Sequence, residues 1–371
     1  MNIVCTVTND LSHDQRMDRI CTSLVNAGHQ VVLVGRLRKN SRPLPERPYR
    51  QHRITCRFDA GKAFYLEYNY KLVRELRHWK YDVVCSVDVD TLAAGAALTR
   101  GSQQLVFDAH EWFHMTPEVV NRSLIRGFWK GLARQLMPFT DLRYTVAPQL
   151  AKQLAQEYGY PFGTVRNLPQ LAPAAAPYIP LEDQPKIILY QGMLNPGRGL
   201  ETAIIAMDLL EDCVLWIAGS GPEEDQLQAL AVTLKHPDRV KFLGFIPPDE
   251  LPELTRRAWL GINLLANSSP SYYYSLANKA LDYVQAGLPS VQMDFPEYRA
   301  LADQYGCYLL LEDLVAPDLA KLIQAVADDE AAYNELQRAC TEAAPELCWA
   351  SEEQELLRLW SQLSPIKNDL T

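Results

Sequence analysis

The feature that most constrains this chain is a repeated alternation of short apolar runs with longer amphipathic ones. Runs such as NIVCTV, QVVLVGR and YDVVCSV are dominated by valine and other apolar residues, and candidate helices separate them. Near-continuous apolar runs are typical of strands buried on both faces of a parallel sheet, because crossover helices cover those faces. The alternation therefore predicts an α/β fold.

A Pro/Ala-rich stretch, residues 167–185, interrupts the alternation, which restarts with KIILYQG. It holds too much proline for a helix, and a chain of 371 residues exceeds what one core usually supports. We therefore predict two Rossmann-like domains, 1–171 and 185–348, facing each other across a cleft. A linker, 172–184, would join them, and a closing helix and tail, 349–371, would follow. Ligands of such sheets bind beyond the carboxyl ends of the strands.

The charge of the chain is divided unevenly. The net charge is -9, but residues 1–170 carry +8 and the remainder carries -17. An acidic chain argues against nucleic-acid binding, whereas the basic first half indicates an anionic partner.

The cysteines indicate a reducing compartment. All eight stand singly, mostly in apolar stretches and without a CxxC motif, as expected for buried thiols of a cytoplasmic protein. Neither they nor the histidines cluster at ligand spacing, so we expect no metal site. No apolar run reaches about 18 residues, which leaves attachment to a membrane surface as the closest membrane contact we expect.

In the second half, the segment YQGMLNPGRGLE follows a predicted strand and opens a helix. Gly192, Gly197 and Gly199 would let a ligand approach the backbone, and the helix N-terminus would attract an anion. Arg198 adds a planar group suited to phosphate oxygens. The alternative is a glycine-rich connection with a solvated arginine.

A second segment, SYYYSLANKALDYVQAGLPS, predicts a loop that enters a helix at Asn278. Asn278 and Asp282 would share one face of this helix. A carboxylate at position 282 can accept hydrogen bonds from a ribose diol, while Lys279 attracts a diphosphate. The alternative is a surface aspartate beside packing tyrosines. Because Arg198 is also predicted at the carboxyl edge of the same sheet, a nucleotide site is favoured.

In the first half, polar side chains follow two predicted strands. The loop VTNDLSHDQRMDR would place four side chains at the cleft, namely Asp10, His13, Asp14 and Arg16. Helix capping by Asp10 or Ser12 explains the same loop. His110 and Glu111 directly follow QQLVFDA and are expected to reach the cleft, although a purely structural pair is the alternative.

The DVD sequence at 88–90 imitates the metal-binding Asp-x-Asp of a different fold. It ends a strand of the domain opposite the predicted nucleotide site, and Asp90 can cap the following helix. We therefore predict no metal and no other cofactor, since Arg198, Lys279 and helix dipoles can supply to a diphosphate the positive charge that a metal would otherwise give.

The segment 123–137, SLIRGFWKGLARQLM, predicts a basic amphipathic helix. Such a helix can lie on an anionic bilayer, or it can face the core with a solvated basic side. Peripheral membrane contact would suit a lipid-linked acceptor.

Motifs along nearly the whole chain resemble the family-4, glycogen-synthase-like (group 1) retaining glycosyltransferases of the GT-B fold. The motifs LYQGMLNPGRGLE, VLWIAGSGPEEDQL, VKFLGFIPPDEL and SLANKALDYVQAGLPSV resemble the donor-binding half of that family. In the first half VTNDLSHDQRMDRICTSLVNAGHQVVLV, YDVVCSVDVDTL, VFDAHEWF, YTVAPQLAKQL and VRNLP occur in the family's usual order.

The resemblance implies a transferase that moves a sugar from a nucleotide-diphosphate sugar to a glycan or lipid-linked acceptor, without a metal. The predicted cleft residues of the first half would then lie on the acceptor side, namely Asp10, His13, Asp14, Arg16 and Glu111. Gly192 and Arg198 take the places of the strand-end glycine and the diphosphate-binding lysine. Asp282 takes that of the ribose-binding glutamate, and His110 that of the histidine facing the donor sugar.

Two positions depart from the family pattern. Tyr274 stands where a glutamate usually contacts the sugar, and Met193 stands where an arginine is common. The second departure leaves Arg198 and Lys279 as the expected diphosphate clamp. Three other functions remain open, namely a nucleotide-sugar epimerase of the same fold, a non-catalytic sugar- or partner-binding relative, and a nicotinamide dehydrogenase. The last lacks a G-x-G-x-x-G after the first strand.

Overall fold

The computed structural model describes residues 1–12, 14–172 and 185–363. The chain forms two compact units: unit 1 is Met1–Asn167 with the C-terminal segment from Glu352, and unit 2 is Leu168–Ser351. The linker predicted at 172–184 lies outside the described residues except for its first one, and so does His13.

Unit 1 contains a seven-stranded parallel sheet in the order β3-β2-β1-β4-β5-β6-β7. The order matches that of dinucleotide-binding sheets, with one strand added at the edge. Its strands are β1 (Asn2–Thr6), β2 (Gln30–Leu37), β3 (Arg50–Thr55), β4 (Val83–Val87), β5 (Gln104–Ala109), β6 (Leu142–Thr145) and β7 (Gly163–Thr164).

Helices connect these strands as the predicted crossovers. They are α1 (Gln15–Asn26), α2 (Gly61–Leu76), α3 (Asp88–Leu98), α4 (Pro117–Val120), α5 (Ser123–Leu136) and α6 (Pro148–Tyr158). Apolar residues of α1, such as Ile20 and Leu24, are fully buried, and Gly28 ends this segment with a φ of +88°. Glycine is favoured at such a left-handed position because it has no Cβ.

Unit 2 repeats the arrangement with a six-stranded parallel sheet in the order β10-β9-β8-β11-β12-β13. Its strands are β8 (Lys186–Gln191), β9 (Cys213–Ala218), β10 (Val240–Gly244), β11 (Leu260–Asn263), β12 (Ser290–Met293) and β13 (Tyr308–Leu311). Its helices are α7 (Leu200–Ala206), α8 (Glu224–Val232), α9 (Leu251–Arg256), α10 (Pro270–Tyr273), α11 (Asn278–Gln285), α12 (Pro296–Tyr305), α13 (Ala316–Ala327) and α14 (Glu330–Ala343).

The last helix, α15 (Trp349–Trp360), returns the chain to unit 1. The Glu352 carboxylate accepts a hydrogen bond from Arg166 Nε at 2.8 Å. A Cβ at Gly163 would lie only 2.8 Å from Leu359 Cδ1, so α15 packs tightly against β7. The helix predicted to close the chain therefore completes the first unit.

Both sheets reverse their strand order at one point, between β1 and β4 in unit 1 and between β8 and β11 in unit 2. Loops that leave adjacent strands in opposite directions open a crevice there, where ligands of such sheets bind. The predicted α/β architecture with two parallel sheets is thus confirmed. No helix in the described part of the chain is long and apolar enough to cross a membrane.

Two local predictions were wrong. Asp90 does not cap α3, because the helix already begins at Asp88 and its N-cap is Val87. The stretch after Ser271 is not simply a loop, because Pro270–Tyr273 form a single helical turn that Ser269 caps through Tyr272 N.

Candidate functional site

Two glycines hold the exits of β8 and β9 against each other in unit 2. Gly192 and Gly219 have φ values of +134° and +153°. A Cβ at Gly219 would lie 1.8 Å from the carbonyl oxygen of Gly192, a distance too short for any side chain. The amide of Gly192 donates to Ala218 O at 2.9 Å. Glycine is thus required here because the two backbones approach each other closely. The predicted approach of a ligand to Gly192 stays a prediction.

The next glycines position Arg198. Gly197 and Gly199 are both left-handed, with φ values of +78° and +67°. A Cβ at Gly199 would lie 2.2 Å from Leu264 O, just after β11, so the loop lies across the switch point. Because α7 is only seven residues long, its dipole is a weaker source of positive potential than the Arg198 side chain itself.

Two cations lie on tyrosine rings beside this loop. The Lys279 Nζ atom is 3.7 Å from the centre of the Tyr190 ring, and the Arg198 guanidinium carbon is 4.9 Å from that of Tyr272. Lys279 is 9% exposed. Burial, and then the charge of Arg198, lower its pKa well below the ordinary value, against a smaller opposing effect of Asp282. A bound anion would offset both the burial of the Lys279 charge and its repulsion by Arg198.

Asp282 lies one turn along α11 from Lys279. Gln191 Nε2 approaches its Oδ2 atom at 3.4 Å, and Gln191 Oε1 accepts a hydrogen bond from Thr255 at 2.8 Å. The neighbouring Tyr283 donates its buried hydroxyl to Leu189 O at 3.1 Å. These contacts fix α11 at the end of β8, which brings Gly192, Arg198, Lys279 and Asp282 to one edge of the sheet.

Tyr274 and Asn278 flank this group. Tyr274 ends the short helix α10, and its ring meets that of Tyr273 edge-on at 5.0 Å. Asn278 is the exposed first residue of α11. Sequence reasoning did not single out Tyr190, Tyr272 or Gln191, and a tyrosine within an apolar strand gives no signal of its own.

In unit 1, His110 belongs to a buried charge network. Its Nε2 atom lies 3.1 Å from Asp108 Oδ2, and Arg16 donates to Asp108 Oδ1 at 2.9 Å. Arg16 also donates to Val165 O at 2.8 Å and is only 4% exposed. Arg16 is therefore a support for Asp108 and His110, rather than one of the side chains that the sequence placed on the acceptor side.

The first residue of α3 orients the backbone of His110. Asp88 has a φ of +56°, and its Oδ1 atom accepts a hydrogen bond from His110 N at 2.8 Å. Thr8 donates to Asp90 Oδ2 at 2.8 Å, which ties the exit of β1 to that of β4. Burial, and then the charge of Asp88, raise the pKa of Asp90 to about 7. Glu111 follows His110 and is exposed.

The remaining predicted residues of this loop serve its structure. Asp14 caps α1 by accepting from Met17 N at 2.9 Å, so the predicted cap by Asp10 or Ser12 was wrong. Asp10 accepts from Ser12 N at 3.0 Å and from the Ser41 hydroxyl at 3.1 Å.

Solved structures share this fold along almost the whole chain. Sucrose-phosphate synthase from Thermosynechococcus elongatus has a TM-score of 0.78 and 18% identity, over 98% of both chains. HepE from Anabaena in complex with UDP has a TM-score of 0.73 and 15% identity, over 98% of this chain and 100% of that one. The two-unit architecture is therefore the GT-B glycosyltransferase fold, as predicted.

The family assignment follows from the sequence of both halves. Residues 176–347 match the family described as glycosyl transferases group 1, and residues 15–169 match glycosyltransferase family 4. The chain belongs to the group 1 glycosyltransferases, which confirms the family that its motifs resemble.

Curated relatives match over shorter segments. An uncharacterized glycosyltransferase of Methanocaldococcus jannaschii is 36% identical over 116 residues, which is 30% of this chain and 28% of that protein. The alpha-D-kanosaminyltransferase of Streptomyces kanamyceticus is 27% identical over 153 residues, 40% of this chain and 38% of that protein. The alignments thus span less than half of either relative.

Proposed function

We propose that this protein transfers a sugar from a nucleotide-diphosphate sugar to an acceptor hydroxyl, with retention at the anomeric carbon. The observation that carries the proposal is the pair of Lys279 and Arg198 at the switch point of unit 2. The positive charges of Lys279 and Arg198 repel each other, and Lys279 is buried. An anion of about two charges bound beside them would neutralise both. The diphosphate of a nucleotide sugar is such an anion.

In the proposed reaction the bond from the anomeric carbon to the diphosphate oxygen breaks while the acceptor oxygen attacks from the same face. The acceptor proton leaves with the diphosphate. Lys279 and Arg198 stabilise the negative charge that develops on the leaving group, as preorganised cations do in a site shielded from water. Because the protein supplies this charge, we propose that the reaction needs no metal.

Other residues would orient the substrates. Asp282 suits the ribose hydroxyls of the donor, since a carboxylate accepts two hydrogen bonds. His110 would present Nδ1 to the sugar while Nε2 stays on Asp108. Tyr274 would contribute to sugar recognition in place of the usual glutamate, and Glu111 would face the acceptor. The free thiols of the chain suit a reducing, cytoplasmic setting.

Thermal unfolding with a panel of nucleoside diphosphates and their sugars, with and without EDTA, tests this proposal. UDP is tried first because HepE is seen in complex with UDP. A ligand at a hundred times its dissociation constant adds about 2.7 kcal/mol of stability. Arg198→Ala should remove the shift, whereas Arg257→Ala should keep it. Arg257 is a matched control because its guanidinium lies 5.1 Å from the Trp216 ring.

Turnover assays separate the remaining functions. Release of nucleotide only in the presence of an acceptor supports the transferase. Release of nucleotide and an altered sugar without acceptor would indicate the epimerase, and binding without turnover would indicate the non-catalytic relative. If no nucleotide shifts the melting temperature, the proposal is wrong.

A further inference from the structure

A pocket of about 740 Å³ opens in unit 1 between α2, α3 and α5. This volume lies within the range of about 300–1,000 Å³ that small-molecule sites occupy. The pocket is lined mainly by apolar side chains, among them Leu66, Ala93, Ile125, Phe128 and Leu132. Trp129 also lines it, and the centre of its ring lies 5.1 Å from that of Tyr65 and 5.0 Å from that of Phe113.

The mouth of this pocket exposes large apolar side chains. Leu66, Phe128 and Leu124 are 73%, 60% and 90% exposed. Trp129 and Ala133 are the only buried residues of helix α5. A helix that served only the core would direct its leucines and phenylalanine inward, so packing within unit 1 does not explain this surface. Contiguous exposed apolar surface of this kind marks a binding site.

Helix α5, which lines one side of the pocket, is cationic. Between Glu118 and Asp141 the chain carries four cations and no carboxylate, at positions 122, 126, 130 and 134, although Lys130 pairs with Glu157 at 2.8 Å. Arg122 and Lys62 line the pocket together with the carboxylates Glu118 and Asp90. A ligand with a hydrocarbon chain and a negative head group complements an apolar cavity beside a cationic helix.

One lining residue links the pocket with the residues around His110. Asp90 lines the pocket, and Thr8 donates to its carboxylate at 2.8 Å. Two residues earlier, Asp88 accepts the hydrogen bond from the His110 amide. A ligand whose head group reaches Asp90 would therefore lie close to the segment that carries His110.

We propose that the pocket binds the hydrocarbon chain of the acceptor, which is an anionic lipid whose hydroxyl receives the sugar. The inference rests on the proposed function for the transfer step, but the binding of the chain does not. It also assigns α5 to an anionic membrane surface, from which such a lipid is taken.

Tryptophan fluorescence of the full chain with 12-bromododecanoic acid tests the site, because bromine quenches a tryptophan only on contact. We expect saturable quenching that Trp129→Phe abolishes while calorimetry still detects binding of the probe. Leu124→Glu should weaken binding at least tenfold. Val232→Glu, at the 74%-exposed end of α8 in unit 2, is the matched control and should leave binding unchanged.

Vesicle co-sedimentation tests the membrane contact. The protein should sediment with phosphatidylcholine vesicles containing phosphatidylglycerol but not with pure phosphatidylcholine, and Leu124→Glu should release it. Quenching that persists in Trp129→Phe, or equal effects of Leu124→Glu and Val232→Glu, would overturn the inference. A concentration-dependent dimer that Leu124→Glu dissociates would also overturn it, because a second copy would then cover the pocket.

Nucleotide binding by the same variants separates this inference from the proposed function. If UDP still stabilises the protein but no chain binds, the pocket assignment fails alone. If chains bind but no nucleotide does, the transferase proposal fails, and the role of the lipid as acceptor fails with it.

Discussion

The Nε2 atom of His110 lies 3.1 Å from the Oδ2 atom of Asp108, whose carboxylate is fully buried. Burial is the largest effect on the pKa of Asp108 and raises it, but Arg16 and then His110 outweigh burial and hold the pKa below its ordinary value. Burial is also the largest effect on the pKa of His110 and lowers it, because the charged form of a histidine is the protonated one. The Asp108 charge outweighs burial, so the pKa of His110 lies above its ordinary value. His110 therefore stays a cation to a higher pH than a solvated histidine.

This relationship predicts a pH dependence of stability. A histidine whose pKa rises on folding contributes stability that is full below its unfolded pKa and is lost as pH rises through the folded value. The difference in unfolding free energy between the wild type and His110→Gln should therefore shrink above about pH 6.5. Urea titrations at a series of pH values measure it. A difference that grew with pH would show that His110 is held neutral.

Replacing Asp108 by asparagine should lower the pKa of His110 below its ordinary value, because burial remains while the negative charge is gone. NMR titration of the imidazole carbon protons in Asp108→Asn measures this. The transferase pH profile should move to lower pH with it. Asp82, which accepts from the Asn2 amide on the same sheet, offers a control, and Asp82→Asn should leave the His110 titration in place.

Arg16→Met should destabilise unit 1 by about 3–5 kcal/mol, because it leaves the Asp108 charge buried beside His110 alone. The partly exposed pair of Arg47 and Asp18 has a similar length of 3.0 Å, and Arg47→Met should cost no more than about 1 kcal/mol. Chemical denaturation of both variants gives the comparison. Equal losses of unfolding free energy in the two variants would mean that burial adds nothing to the stability that the Arg16–Asp108 pair contributes.

Lys279→Met should raise the dissociation constant of the bound nucleoside diphosphate about tenfold or more, because one charge-assisted contact is removed. The unfolding free energy should stay equal or increase, since a buried ammonium beside Arg198 is no longer present. Lys186, whose Nζ lies 5.7 Å from the centre of the Trp259 ring, is the matched control at the opposite end of β8. Titration calorimetry of Lys279→Met and Lys186→Met decides, and comparable affinities would remove Lys279 from the clamp.

Gly219→Ala should unfold unit 2 or destabilise it severely, because its Cβ would meet Gly192 O at 1.8 Å. Gly244 is the control: its φ of +68° is also left-handed, but nothing lies within 4 Å of a Cβ there. Gly244→Ala should cost only about 1–2 kcal/mol of backbone strain. The difference between the two melting temperatures isolates the steric contact between the β8 and β9 loops.

Much of the fold could be predicted because buried parallel strands carry a strong sequence pattern. The valine-rich strands β1, β2 and β4 were all predicted from sequence. The edge strand β3 was missed, because its sequence RQHRIT is polar on the exposed side and reads as a loop. Edge strands are half solvated, so they lack the continuous apolar run that identified the others.

The candidate site was predicted less completely. Glycines and charged residues at strand ends pointed to Gly192, Arg198 and Asp282, because strand ends in such sheets converge. The rings beneath Arg198 and Lys279 could not be predicted, since Tyr190 and Tyr272 meet them only after the chain has folded. For the same reason the sequence predicts Arg16 on the acceptor side of the cleft and does not indicate its partner Asp108, which lies 92 positions further along the chain.

The return of α15 to unit 1 sets an order for the folding of a newly made chain. Unit 1 lacks the carboxylate partner of Arg166 and the buried Trp360 until α15 has left the ribosome. Domains usually fold as they emerge, the N-terminal one first. Here the inner unit, Leu168–Ser351, has emerged before α15 is complete, so unit 1 starts to be synthesised before unit 2 but is completed after it.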